Sequence, residues 1–150
     1  MRPMVPVAAF AVALSFFGQA FAQNPAAPAS SGSTASSGFS PDTITVALMS
    51  GGAVDAATTL GGNCVGMVAN AANYAFTYTA GSAPLFMKVR SQGDTTLIVH
   101  NPNGAWGCSD DYNGVNPALR WDQPVSGTYH VWVGSIGGGA QATLSITERE

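Results

Sequence analysis

Residues 126–135 read SGTYHVWVGS, and this stretch decides the fold class. Tyr129, Val131 and Val133 fall on one side of an extended chain, His130 and Trp132 on the other. Alternation with period two marks a strand, because successive side chains of a strand point to opposite faces of its sheet. The pattern repeats outward in both directions. In ATLSITE (142–148), Leu144 and Ile146 oppose Ser145 and Thr147; in APLFMKVRS (83–91), Leu85, Met87 and Val89 oppose Phe86, Lys88 and Arg90. YAFTYTA (74–80) aligns Tyr74, Phe76 and Tyr78, and TITVAL (43–48) aligns Ile44, Val46 and Leu48. DTTLIVHNP (94–102) is rich in β-branched residues and stops at Pro102. Clusters of Gly, Asn, Asp, Ser and Pro separate the runs, the turn spacing of an all-β sandwich. No window sustains a helical period, and Gly and Ala blur the pattern only over 51–68.

The first 41 residues do not belong to that pattern. MRPMVPVAAFAVALSFFGQAFAQ (1–23) joins one cation, Arg2, to a short apolar run and an Ala20-Phe21-Ala22 site. These are the parts of a secretory signal peptide, expected to be cleaved after Ala22. The apolar run falls short of the ~20 residues a spanning helix requires. Residues 23–41 are almost wholly Ala, Ser, Pro, Gly and Thr, a composition that predicts a disordered linker. Residues 42–150 then suffice for one domain with one core.

Without Arg2, four basic residues stand against eight acidic ones. That balance offers no basic patch for nucleic acid or an anionic membrane surface. Cys64 and Cys108 are the only cysteines, and in an exported chain two thiols pair most simply as one disulfide. It would close a loop of roughly 45 residues, for which the chain-entropy argument gives about 4 kcal/mol. Localisation is accordingly expected to be periplasmic or extracellular.

GDTTLIVHNPNGAWGCSDD (93–111), NPALRW (116–121), PVSGTYHVWVGS (124–135) and ATLSITE (142–148) together resemble the bacterial pre-peptidase C-terminal (PPC) domain family. The matched elements are an Asp-bearing turn before a strand, a P-x-G turn, an acidic loop and the SGTY hairpin, spread over residues 54–148. The resemblance implies a jelly-roll-like antiparallel β-sandwich of about eight strands. It also implies an accessory module of secreted peptidases, some members of which bind calcium or polymers such as collagen. Here a leader and a linker, rather than a peptidase domain, stand ahead of the matched segment.

Catalytic chemistry finds little support in the residues. A serine hydrolase needs a nucleophile, a base within reach and a group orienting that base. Serines, His100, His130 and aspartates are present, but there is no G-x-S-x-G elbow, and no H-E-x-x-H or P-loop motif. The expectation is a non-enzymatic module; hydrolytic activity of its own is the competing reading.

Two binding hypotheses follow. In SDDYNG (109–114), Asp110, Asp111 and Asn113 offer oxygens to a hard cation, and the family pattern brings Asp94 to the same corner. Calcium is the cation such a set suits. The alternative is that these side chains only close turns. Separately, Trp132 and Phe86 on outward faces, with Trp106 in a loop, would form an aromatic platform for an extracellular polymer. Against it stands the reading that these rings cover the ends of the sandwich. A separately encoded secreted enzyme is the other partner considered.

Overall fold

The structure, a computed structural model, describes residues 22–150, so the leader expected over 1–22 lies outside the described residues save for its last position. Among the described residues eleven strands form two sheets, and the single helix has four residues. In chain order they are β1 (Ser31–Ser36), β2 (Thr43–Met49), β3 (Val54–Asp55), α1 (Ala56–Thr59), β4 (Met67–Val68) and β5 (Tyr74–Thr79). Then come β6 (Leu85–Ser91), β7 (Thr95–His100), β8 (Trp106–Ser109), β9 (Ala118–Trp121), β10 (Gly127–Ser135) and β11 (Gln141–Thr147). The smaller sheet runs β2-β11-β6-β9. In the larger one, β10 lies between β5 and β7, β1 and β8 flank them, and the short β3 and β4 join at the far end of β10.

The two sheets face each other across a core built from the alternating residues read in the sequence. Tyr74, Phe76, Tyr78, Tyr129, Val131 and Val133 of one sheet meet Leu85, Met87, Val89, Leu144 and Ile146 of the other. Ile44, Val46 and Leu48 pack against the same cluster. This is a β-sandwich, and the inward faces are those that period two assigns.

Three features depart from expectation. First, the segment expected to be a disordered linker carries β1, which pairs in parallel with β5 from Ser31↔Tyr74 to Ser36↔Thr79. Its composition offers few side chains to bury, but a strand on a sheet edge is held by main-chain hydrogen bonds, which composition does not count. Further contacts fix the segment. Ser30 N–H donates to Ala72 O (3.0 Å), Gly38 N–H donates to Glu148 Oε2 (2.7 Å), and Phe39 packs edge-on against Phe76 and Tyr78. Second, that pairing is parallel, so the sandwich is not wholly antiparallel, and its strands exceed eight because β1, β3 and β4 are added.

Third, Trp132 is not on an open face. A second apolar cluster lies on the outer side of the larger sheet, where Val54, Ala56, Cys64, Val68 and Ala72 cover Ile98 and Trp132. The cover is the Gly- and Ala-rich region in which the strand pattern blurred. Close approach requires a glycine at two positions along this contact. A Cβ on Gly52 would lie 2.1 Å from the backbone of Val68, and one on Gly134 2.4 Å from Thr96 Oγ1. Cys64 and Cys108 are joined, with Cα atoms 5.1 Å apart, so the disulfide ties the cover to β8.

Two outcomes follow for stability. Trp132→Ala, which would be near neutral for a surface platform, is expected to cost about 3–5 kcal/mol in urea unfolding, the range for emptying a buried aromatic site. A loss below about 1 kcal/mol would place the indole at the surface. Replacing Cys64 and Cys108 together by serine opens a loop with a sequence separation of 44 and is expected to remove about 4 kcal/mol. An unchanged denaturation midpoint would show that the cover holds without its staple.

Candidate functional site

Strands β7 and β8 form a hairpin closed at Pro102-Asn103-Gly104, where Asn101 N–H donates to Ala105 O (3.0 Å) and Gly104 adopts φ +88°. Their register pairs Leu97 with Ser109. Extending that register past the end of β8 sets Asp110 beside Thr96 and Asp111 beside Thr95. Asp94, at the start of β7, therefore meets both aspartates at one end of the sheet. Carboxylate oxygens of Asp94, Asp110 and Asp111 all lie within 4.8 Å of one another.

Polar atoms at this corner go unpaired. Asp94 Oδ1 and Asp110 Oδ1 are buried without a hydrogen-bond partner, as are the hydroxyls of Thr95 and Thr96. Burial raises the Asp110 carboxyl above the ordinary aspartate range, and the charges of Asp111 and Asp94 raise it further. The loop itself is closed by other groups. Asn113 and Asn116 form an isolated bridge, Tyr112 N–H donates to Asn116 O (3.3 Å), Ser91 N–H donates to Asn116 Oδ1 (3.1 Å), and Ala118 N–H donates to Ser109 Oγ (3.2 Å). Asn113, the fourth residue expected among the ligands, sits in that turn and also lines a neighbouring groove.

Of the aromatic platform, none of the rings stands free. Trp132 is buried and packs at 5.3 Å, its plane tilted by 45°, against Trp106, which is half-buried and in turn lies 4.7 Å from His100. Phe86 does point to the outer side of the smaller sheet, but only 4% of it is exposed, because Lys88 and Arg120 lie over its ring at 5.3 and 4.9 Å. The long cationic stems cover apolar surface that alternation alone leaves bare.

His130 and His100 are direct cross-strand partners on β10 and β7, with ring centroids 6.3 Å apart. Their ring neighbours are each other, Trp106 and Trp132, and His130 Nδ1 is buried with no hydrogen-bond partner. No serine hydroxyl or carboxylate among the described residues bonds to either imidazole, so neither has the orienting partner of a catalytic base.

The groove was not anticipated from the sequence. Strand β9 pairs with β6 only from Leu85 to Lys88, and Val89 N–H reaches Pro117 O (3.0 Å) as the chain turns away. The 112–116 turn then overhangs the end of β6 that β9 does not reach, leaving an open groove of about 500 Å³ lined by Lys88, Arg90, Tyr112, Asn113 and Asn116 among others. Its cations were legible as outward residues of APLFMKVRS; what no pattern in the sequence reveals is that β9 stops short of them.

No protein-family model matches the chain, and no curated protein matches it. Solved structures similar to it include PliG of Aeromonas hydrophila, a periplasmic inhibitor of g-type lysozyme. That likeness has a TM-score of 0.45 at 14% identity, over 77% of this chain and 96% of that one. The pre-peptidase C-terminal domain of a collagenase from Bacillus anthracis has a TM-score of 0.49 at 13% identity, over 81% of this chain and 98% of that one. The second belongs to the family that the GDTTL and SGTY motifs resemble.

Burial, and then the neighbouring imidazole of His100, hold His130 below its ordinary value of 6.5. The unfolded chain therefore binds this proton at higher pH than the folded one, so stability is full above about 6.5 and falls as pH drops toward the lowered value. Urea midpoints at pH 7.5 and 5.5 are expected to fall for the protein as it stands and to fall less for His130→Gln. Equal losses in both would remove His130 as the titrating group.

Proposed function

We propose that the chain is an exported, non-catalytic binding module of the pre-peptidase C-terminal type, whose Asp94, Asp110 and Asp111 corner holds a calcium ion and whose exposed loops engage an extracellular polymer. The observation that carries the reading is the pair of buried carboxylate oxygens, Asp94 Oδ1 and Asp110 Oδ1, that no protein donor satisfies. Buried polar atoms in folded proteins are nearly always paired, and a cation is the partner that suits carboxylates facing one another. Calcium fits the donor set. It takes six to eight oxygens at hard, flexible sites, and carbonyls and water supply those the protein carboxylates do not. Turn closure, the alternative role for these aspartates, falls to Asn116 and Ser109.

Support for a non-catalytic role comes from the two imidazoles, which pack on indoles and on one another. Export is supported by the leader motif in residues 1–22 and by the Cys64–Cys108 disulfide, a bond that persists in oxidising compartments. Among the described residues no helix is long and apolar enough to cross a membrane. The family resemblance in the sequence adds the accessory character.

Thermal melts with chelator and with 10 mM calcium test the site. For dissociation constants of 10⁻⁴–10⁻³ M, the range of extracellular calcium modules, the ion adds roughly 1.4–2.7 kcal/mol at that concentration. Asp110→Asn removes a buried charge that its neighbours oppose, so this variant is expected to melt higher than the parent in chelator and to lose the response to calcium. An unchanged parental midpoint, with no ion bound by calorimetry, would rule the metal out.

A further inference from the structure

We propose that the groove between β6 and the 112–116 turn is a binding site for an acidic polysaccharide, with Lys88 and Arg90 taking uronate-type carboxylates and Tyr112 stacking on a sugar face. The inference rests on the reading of the chain as a polymer-binding module and names the class of polymer.

Charge points to it first. The chain has five Lys and Arg residues and a net charge of −3, yet two of the five stand side by side on one face of β6. The other described cations are engaged: Arg120 with Asp122 and Glu150, and Arg149 with Asp42. Lys88 and Arg90 form no salt bridge among the described residues, and no carboxylate lines the groove. The ammonium of Lys88 is held over Phe86, a contact that positions the charge without neutralising it.

The remaining lining groups narrow the ligand. Tyr112 is 63% exposed, and its ring is steadied because its hydroxyl donates to Glu150 Oε1 (3.2 Å), whose other oxygen holds Arg120. An exposed, held aromatic ring beside an open groove suits the apolar face of a sugar. Asn116 has its Oδ1 committed to Ser91 N–H, which leaves its amide N–H groups to donate, and Asn113 is exposed at the rim. Cations, amide donors and an aromatic face together match a chain that carries carboxylates, hydroxyls and sugar rings. A net-negative protein repels polyanions at long range, so any retention by such a chain must be local.

The test is affinity electrophoresis through gels containing polygalacturonate, hyaluronan, neutral dextran or poly-glutamate. The proposal expects retardation by one of the two uronates, weakening as salt rises, and none in dextran. Arg90→Gln and Lys88→Gln are expected to weaken it roughly fivefold each, and Tyr112→Ala roughly tenfold, with Arg90→Lys restoring most of the loss. Arg90 is exposed, so the melting midpoint of its variants should match the parent and exclude misfolding as the cause. Equal retardation of parent and Arg90→Gln would overturn the groove, and poly-glutamate binding as tight as uronate binding would overturn the sugar. Binding to dextran alone would overturn the inference while leaving the binding module intact. No retardation by any polymer would remove both.

Discussion

Trp132 packs at 5.3 Å against Trp106 beneath a segment that the Cys64–Cys108 bond ties down, while its neighbours Val131 and Val133 face the opposite way into the sandwich. Strand β10 is thus buried on both sides, and the rest of the structure is arranged around it. It pairs with β5 over Gly127–Val131 and with β7 over His130–Ser135, and touches β4 at its end, so the short strands of the cover register on it as well. A charge-poor chain of this size gains most by burying both faces of one strand, since apolar area removed from water is its main source of stability. The disulfide then reduces the entropy lost when a Gly-rich segment orders over that face.

This arrangement also decides where the charges go. With the interior of the sandwich dry, carboxylates and the Lys and Arg cations collect at strand ends and on the outer side of the smaller sheet. The carboxylates of Asp94, Asp110 and Asp111 meet where β7 begins and β8 stops, with Asp94 Oδ1 and Asp110 Oδ1 buried and without a hydrogen-bond partner. Lys88 and Arg90 emerge on the far side of the same loop, separated from the aspartates by the turn that Asn113 and Asn116 close. One loop, residues 110–117, therefore borders both an acidic corner and a basic groove. That proximity ties the two proposed sites to a single loop, DDYNGVNP, bracketed by β8 and the short strand β9.

How legible each part was depends on the range of the interactions that form it. Period two identified the inward faces of β5, β6, β10 and β11 because it reports which side of a strand is apolar, a local property. The hairpin turn at Pro102-Asn103-Gly104 was equally local. Trp132 and Phe86 show the limit. Alternation puts them outward, and they are on outward faces, yet Trp132 lies under Val68 and Cys64, and Phe86 under Lys88 and Arg120. Strand β1 shows another limit, since a run of Ser, Gly, Thr and Ala forms a strand only because the edge of β5 presents free backbone groups to it.

The amino-acid sequence by itself determined the sandwich, its inward residues and the pairing of its only two cysteines. Each follows from periodicity, composition or turn chemistry, which act over a few residues or leave a single choice. The tertiary structure alone decided that the outer face of β10 is roofed, that the aspartate oxygens lack donors, and that β9 ends early enough to open a groove beside Arg90. Those outcomes depend on which segments of chain come to rest against one another, and side-chain chemistry read in order along the chain carries no record of that.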